Sequence, residues 1–256
     1  MKILSNRWAV YASSTVLVIF LLAIWQLLAA YELISSLFFP PPTRTLSKLW
    51  LLMTQGDIWP PTWATIVRMI YGWAAASIAG VILGALITRS RMVHELIGPT
   101  LEFMRPMPAS AFIPLAILAF GLTNQMSTAI IAFGSLWPVL LAAIQGFSTV
   151  NPRLYEVADA LGMSQWQRFI KVSLPSALAD IVAGARVGLA IALILAVVTE
   201  MQASLPGLGQ SILMAQRSFQ TPELYACVIM LGCVGFLASA LLQWCERLVI
   251  PWRTTS

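Results

Sequence analysis

The chain has 256 residues, of which 59% are hydrophobic and only 10% are charged, and its mean hydropathy is +0.83. Soluble globular domains carry about 25% charged residues, so an ordinary water-exposed surface is excluded. The composition predicts an integral membrane protein with several spanning helices and little room for a soluble domain.

Six apolar windows are long enough to cross a hydrocarbon core of about 30 Å, which takes about 20 helical residues. They cover residues 8–30, 65–88, 96–120, 125–148, 177–201 and 224–244. Pro106, Pro108 and Pro114 interrupt the third window, so its helix is expected to be kinked or partly irregular. The predicted fold class is an all-α integral membrane protein with about six transmembrane helices.

The first window follows Lys2 and Arg7, as the apolar region of a signal peptide does. Its apolar run exceeds the roughly 7–15 residues of such a region, so it is interpreted as a retained helix. Residues 1–60 are therefore predicted to hold an N-terminal transmembrane helix and an external loop. Residues 61–256 are predicted to form the core, which contains a charged segment at 151–175.

Lysine and arginine are distributed unevenly between the two sides of the predicted helices. With the N-terminus in the cytoplasm, nine of them fall in cytoplasmic segments: Lys2, Arg7, Arg89, Arg91, Arg153, Arg168, Lys171, Arg247 and Arg253. Three fall on the opposite side: Arg44, Lys48 and Arg217. Because cytoplasmic loops carry the excess of positive charge, both termini are predicted to be cytoplasmic. The net charge of +5 then requires no nucleic-acid partner.

The sequence lacks the residue patterns of a catalytic or metal centre. It contains no Ser/His/Asp set, no H-E-x-x-H and no phosphate-binding G-x-x-x-x-G-K-[ST]. Cys227, Cys233 and Cys245 do not have the spacing of a zinc site and are interpreted as small apolar side chains. The chain is predicted to be no enzyme and to hold no metal or cofactor of its own.

The segment 151–175 interrupts the apolar chain with charged residues and with signals for two short helices. Asn151 and Pro152 suit a helix start, and Gly162 suits a left-handed helix end. Ser164 and Gln167 have the spacing of a capping box. An apolar stripe at helical spacing is formed by Leu154, Val157, Ala158 and Leu161. On these residues alone the segment is either an interfacial loop lying on lipid or a helix that docks in a groove of another protein.

The same segment carries a resemblance to a known family. Its residues Glu156-Val157-Ala158, Gly162, Val172 and Leu174-Pro175 have the spacing of the EAA loop of binding-protein-dependent ABC importer permeases. Val157 stands where that loop has Ala, and Val172 stands where it has Ile. Four further segments are similar to the nitrate/sulfonate/taurine branch: residues 38–50 (FFPPPTRTLSKLW), 105–121, 184–201 and 206–209. The resemblance extends over roughly residues 20–250.

The resemblance implies the fold of a type I ABC importer permease in the inner membrane of a bacterium. The implied partners are a second permease copy, giving a homodimer, two ATPase subunits that bind ATP, and an external solute-binding protein. The residues implied in coupling to the ATPase are Glu156, Val157, Ala158, Asp159, Leu161, Gly162, Leu174 and Pro175. We call residues 151–175 the coupling loop.

The branch favours small anions such as nitrate, sulfonates or taurine, and its relatives also include carriers of vitamins or precursors. A secondary transporter is the alternative from a different class, and inverted repeats would favour it, but the sequence shows none. Ionisable groups within membrane segments are costly and are candidates for function. The candidates for the translocation pathway are Arg105, Pro108 and Glu200.

Overall fold

The computed structural model describes residues 7–250, and every regular element in that range is a helix. Lys2 and Arg253, two of the predicted cytoplasmic cations, lie outside the described residues, as do the ends of the two predicted regions at 1–6 and 251–256. The α-helices in chain order are α1 (Arg7–Ala30), α2 (Pro42–Gln55), α3 (Trp59–Thr88), α4 (Arg91–Met104), α5 (Ile113–Phe120), α6 (Asn124–Ser148), α7 (Pro152–Ala160), α8 (Gln165–Arg168), α9 (Leu174–Ala203), α10 (Leu208–Arg217) and α11 (Thr221–Val249). A 3₁₀ turn (Ala109–Phe112) precedes α5, and a π-helical turn (Phe169–Ser173) precedes α9.

Four helical stretches within residues 7–250 are long and apolar enough to cross a membrane. They are α3, α6, α11 and the continuous stretch Gln165–Ala203, which ends with α9. A fifth span is added if α4 and α5 are counted as one bent pair, and the described apolar part of α1, Thr15–Ala30, is shorter. The all-helical membrane class is confirmed, whereas the count of six spans is not.

The third apolar window breaks into two helices at its prolines. α4 ends at Met104, α5 begins at Ile113, and the axes of the two pieces, Glu95–Met104 and Ala109–Phe120, differ by 83°. Pro106 and Pro108 lie in the break. Proline has no N–H and disfavours helical geometry in the residue before it, so neither piece continues through this segment. The break leaves irregular backbone inside an apolar region, as happens where a chain lines a cavity.

The described residues form two compact units. The first comprises residues 7–60 and 211–230, and the second comprises residues 61–210 and 231–250. In the second unit α6 packs against both α3 and α9, because small residues let the helix backbones approach closely. A Cβ on Gly80 of α3 would lie 3.0 Å from Val139 of α6, and a Cβ on Gly184 of α9 would lie 2.6 Å from the Pro138 carbonyl. These contacts give α3, α6 and α9 a fixed register, on which the features described below depend.

Two helices fall outside the predicted windows. α2 begins with Pro42 in its first turn and ends at Gly56, whose φ is +88°. α10 follows the Pro206-Gly207 turn at the end of α9. Both are shorter than a membrane span and carry polar residues, so a search for long apolar runs passes over them.

Candidate functional site

The coupling loop folds as its local sequence signals predict at three points. The Asn151 side chain accepts a hydrogen bond from the Arg153 N–H at 3.0 Å and caps α7, which starts at Pro152. Gly162 has a φ of +65° and ends α7 by left-handed geometry. The reciprocal hydrogen bonds of the capping box between Ser164 and Gln167 are both present. The predicted N-cap, glycine turn and capping box are therefore confirmed.

Three apolar side chains of the stripe are left uncovered along one side of α7. Leu154, Val157 and Leu161 are 44%, 56% and 67% exposed. Ala158 is only 1% exposed and faces the chain's own interior, which corrects the expectation that it belongs to the open stripe. Its position follows from helix geometry, since Ala158 lies one turn from the half-buried Tyr155 and shares its inward face.

The two carboxylates of α7 have different surroundings. The side chain of Glu156 is exposed and has no hydrogen-bond or ion-pair partner among the described residues. The carboxylate of Asp159 forms an ion pair with Arg168, and Arg168 also donates from Nε to the Met163 carbonyl at 3.0 Å. Asp159 therefore stabilises the loop itself, whereas Glu156 is available to another molecule.

Side-chain contacts fasten α7 and α8 to the long membrane helices. The hydroxyls of Tyr155 and Ser173 share a hydrogen bond of 2.9 Å. Arg89, which follows α3, donates to the Gln165 side chain at 2.9 Å. The Phe169 ring lies 5.8 Å from that of Phe147 in α6. These contacts hold the coupling loop against the packed helices of the second unit.

The second short helix is not a separate element, contrary to the two-helix expectation. α8 continues through the π-helical turn directly into α9, and the Leu174 N–H bonds to the Phe169 carbonyl five residues earlier. Pro175 in the next position has no N–H, and a π turn re-aligns the backbone around such a defect. Leu174 packs on a buried cluster that includes Phe147 and Ala177. Leu174 and Pro175 therefore shape the start of α9, and the exposed apolar side chains of the loop lie before them in the chain.

A cavity of about 410 Å³ lies between the helix break, α6 and α9. Its lining comprises Arg105, Met107, Ala109, Ser110, Gly134, Trp137, Pro138, Leu141, Ile191, Ile194 and Leu195. Arg105 is thus the member of the three predicted pathway candidates that lines the cavity. Pro108 lies in the same irregular segment, between the lining residues Met107 and Ala109, and Glu200 is not part of the lining.

Glu200 instead lies in a buried polar cluster near the end of α9. Its side chain is 0% exposed and accepts hydrogen bonds from Arg68 Nη1 at 2.6 Å, Thr65 Oγ1 at 3.0 Å and the Gly209 N–H at 2.9 Å. Arg68 also donates to the Asn124 side chain at 2.8 Å and to the Pro206 carbonyl at 2.6 Å. We call these residues the Glu200 cluster. It joins α3, α6, α9 and the start of α10 by charge-assisted hydrogen bonds.

Sequence reasoning missed the partner in this cluster. Arg68 sits near the edge of an apolar window. The distribution of Lys and Arg therefore assigns it to neither side of the membrane. The available signal was the spacing of Thr65 and Arg68, which places a hydroxyl and a guanidinium on one face of α3, one turn apart. An arginine inside an apolar helix requires an anionic or carbonyl partner.

The match to a family of known proteins extends over the same elements. Residues 76–254 match the family of binding-protein-dependent transport system inner membrane components, a range that includes the helix break, the coupling loop and the Glu200 carboxylate. The chain belongs to this family. The permease is therefore a membrane-embedded transport subunit of an ABC importer, which works with ATPase and solute-binding components, and it is not an enzyme.

Curated relatives and a solved structure agree with this assignment. The permease is 30% identical to the taurine transport system permease protein TauC of Escherichia coli, over 91% of this chain and 86% of TauC. It is 27% identical to the nitrate import permease protein NrtB of Synechocystis sp., over 90% of this chain and 86% of NrtB. An inward-facing structure of the MetNI methionine ABC transporter matches 79% of this chain and 98% of its own with a TM-score of 0.64, at 18% identity. The structural match confirms the type I importer permease fold.

Proposed function

We propose that the permease moves a small oxyanion, such as nitrate, a sulfonate or taurine, from an external binding protein to the cytoplasm by alternating access. The names of TauC and NrtB support this substrate class. The cavity supports it as well, because its lining includes the cation Arg105 and no carboxylate. A vitamin or precursor is the alternative cargo within the same importer class.

The proposed assembly is a homodimer of the permease with two ATPase subunits on its cytoplasmic face, and those subunits bind the ATP. Both termini lie in the cytoplasm in this arrangement. The nine-to-three distribution of Lys and Arg supports the orientation. In this orientation the coupling loop faces the ATPase subunits, and residues 39–61 face the binding protein.

The surface of α7 is the proposed contact with the ATPase. Leu154, Val157 and Leu161 offer an exposed apolar ridge, and Glu156 adds an unpaired carboxylate beside it. A short amphipathic helix of this kind docks in a groove through its apolar residues. Gly162 sets the turn after the ridge, and the Asp159–Arg168 ion pair maintains the shape of the loop.

The continuity between this ridge and the cavity is the observation that carries the proposal. The hydrogen bond between the hydroxyls of Tyr155 and Ser173 joins α7 to the turn that leads into α9, and α9 contributes Ile191, Ile194 and Leu195 to the cavity wall. A displacement of α7 by a closing ATPase is thereby transmitted to the wall of the cavity. Coupling of ATP hydrolysis to access requires such a connection between the two sites.

Reconstitution in proteoliposomes tests the proposal. The permease is combined with its ATPase subunits and with the binding protein encoded beside it, and uptake of radiolabelled taurine and of nitrate is measured with and without ATP. We expect uptake that depends on ATP, on the ATPase subunits and on the binding protein.

Two results would contradict the proposal. Uptake driven by an ion gradient in liposomes that contain the permease alone would indicate a secondary transporter. ATP-dependent uptake of an uncharged vitamin or precursor, with no uptake of any sulfonate or of nitrate, would refute the anion assignment and retain the importer class.

A further inference from the structure

The polar groups in the cavity wall are hydrogen-bond donors. Arg105 is the only charged residue of the lining, and Ser110 supplies a hydroxyl four residues beyond the start of the break. The rest of the wall is apolar. A concave site with a few donors and an apolar remainder suits a small anionic ligand.

Arg105 lacks the partners that Arg68 and Arg186, two other arginines of the second unit, each have. Arg68 is bonded to Glu200, and Arg186 forms an ion pair with Glu246. The Arg105 guanidinium has no hydrogen-bond or ion-pair partner in residues 7–250. A cation in a membrane protein is costly without a partner, and such a group is a candidate for contact with an ion on its route.

The backbone around Arg105 is fixed by its neighbours. Pro106 and Pro108 restrict the chain on its C-terminal side, and the Met107 N–H bonds to the Met104 carbonyl at 3.1 Å. Gly134 of α6 has no side chain, and a Cβ there would lie 2.9 Å from Cβ of Ala109. The break is therefore held against α6 by close packing at Ala109, and the chain that follows Arg105 is restricted.

We propose that Arg105, together with the Ser110 hydroxyl of the same cavity wall, is the anion-contacting site of the translocation pathway. A planar guanidinium binds two oxygens of a nitrate or sulfonate at once, which an ammonium does not do. The inference rests on the proposed anion transport and adds to it the residue that contacts the anion inside the permease. Selectivity for anions is then shared between the binding protein and this cavity.

Thiol modification tests the site without requiring transport. Cys227, Cys233 and Cys245 are replaced by alanine, and Ile194→Cys, at another residue of the lining that is 61% exposed, is introduced as a reporter in the cavity. The purified permease is treated with an anionic reagent, 2-sulfonatoethyl methanethiosulfonate, and with its cationic trimethylammonium counterpart. The ratio of the two reaction rates measures the local preference for anions, and nitrate or taurine is added as a competitor.

We expect Arg105→Gln to lower the ratio of anionic to cationic rates by about tenfold, because one unit charge near the reporter is lost. Arg105→Lys retains the charge and should keep most of that ratio, but it should reduce the uptake of nitrate and taurine because the planar fork is lost. Arg247→Gln removes an exposed cation elsewhere and serves as the control, with the wild-type ratio expected.

An unchanged rate ratio in Arg105→Gln would overturn the inference, even if the wild-type permease imports anions. That result would leave Arg105 a structural role at the C-terminal end of α4, where a cation is favourable. If Arg105→Gln lowers the rate ratio as expected but the reconstituted wild-type importer moves no anion, the proposed function is refuted instead. Uptake by Arg105→Lys equal to wild type would contradict the bidentate contact.

Discussion

Removal of Arg68 should destabilise the permease strongly through the carboxylate that it leaves behind. Glu200 is 0% exposed, and among residues 7–250 Arg68 is the only cation bonded to it. In Arg68→Met the carboxylate keeps two neutral donors, the Thr65 hydroxyl and the Gly209 N–H. Breaking a buried ion pair by removing one partner costs about 3–5 kcal/mol. At about 2–4 °C per kcal/mol for a domain of this size, the unfolding midpoint should fall by roughly 10 °C.

The pair itself contributes less than this loss suggests. Replacing both partners, as in Arg68→Met combined with Glu200→Gln, leaves no unpaired charge in the interior. Exchange of a whole buried ion pair for uncharged groups is often close to neutral. We therefore expect the double variant to unfold at a higher temperature than Arg68→Met alone, so that the effects of the two substitutions are not additive.

A buried cysteine supplies the assay. Cys227 is 3% exposed, whereas Cys233 and Cys245 are exposed, so the latter two are replaced by alanine. A thiol-reactive fluorophore then reports unfolding of the detergent-solubilised permease as Cys227 becomes accessible. Arg247→Met is the matched control. The reasoning would be refuted if Arg68→Met lowered the midpoint no more than Arg247→Met, or if the double variant lost the sum of the two single losses.

Three further predictions concern the coupling loop and the side of the membrane on which it lies. Gly162→Val places a β-branched residue at a φ of +65°, although no atom lies within 4 Å of the new Cβ. The strained backbone costs about 1–2 kcal/mol, so we expect less ATPase to co-purify with this variant. Gly98→Val is the control, because that site is equally unobstructed and has no positive φ, and it should co-purify the ATPase normally. Glu156→Lys should lower solute-stimulated ATP hydrolysis in proteoliposomes about tenfold or more, because a charge-assisted contact is replaced by a repulsive one. Glu156→Gln should lower it less. Wild-type coupling in Glu156→Lys would contradict docking through this residue. A cysteine at Gln55 should react with an impermeant maleimide added outside the cell, and a cysteine at Gln165 should not. Both sites are exposed on the protein surface, so the difference reports their side of the membrane. The reverse labelling would show that the predicted topology is inverted.

Local features of the fold were accessible from the sequence, and features set by distant packing were not. The N-cap at Asn151, the turn at Gly162 and the capping box at Ser164 depend on hydrogen bonds within a few residues, which short patterns encode. Ala158 is 1% exposed and lies on the same face of α7 as Tyr155, which contacts Ser173 eighteen residues later in the chain. A stripe of apolar residues in the sequence does not show which of its side chains pack against the protein and which remain exposed.

The same distinction applies to the membrane helices. Prolines 106 and 108 located the break in the third window, but the 83° bend results from how the two pieces pack. Arg68 and Glu200 are 132 residues apart in the chain. Their pairing depends on the packing of α3 and α9 against each other and against α6, which no local pattern specifies.

The unbroken helical stretch Gln165–Ala203 has a mechanical consequence. Its 39 residues form a rod about 58 Å long at the rise of an α-helix. One end is fastened to the coupling loop through Ser173, and the other carries Glu200 and its hydrogen bonds to α3 and α10. A tilt of only about 5° at one end displaces the other end of such a rod by roughly 5 Å, the rise of a single helical turn. With its far end held by the Glu200 cluster the stretch pivots there, so a movement at Ser173 reaches the cavity-wall residues Leu195 and Ile191 at only about a fifth to a third of its amplitude, in proportion to their distance from the pivot.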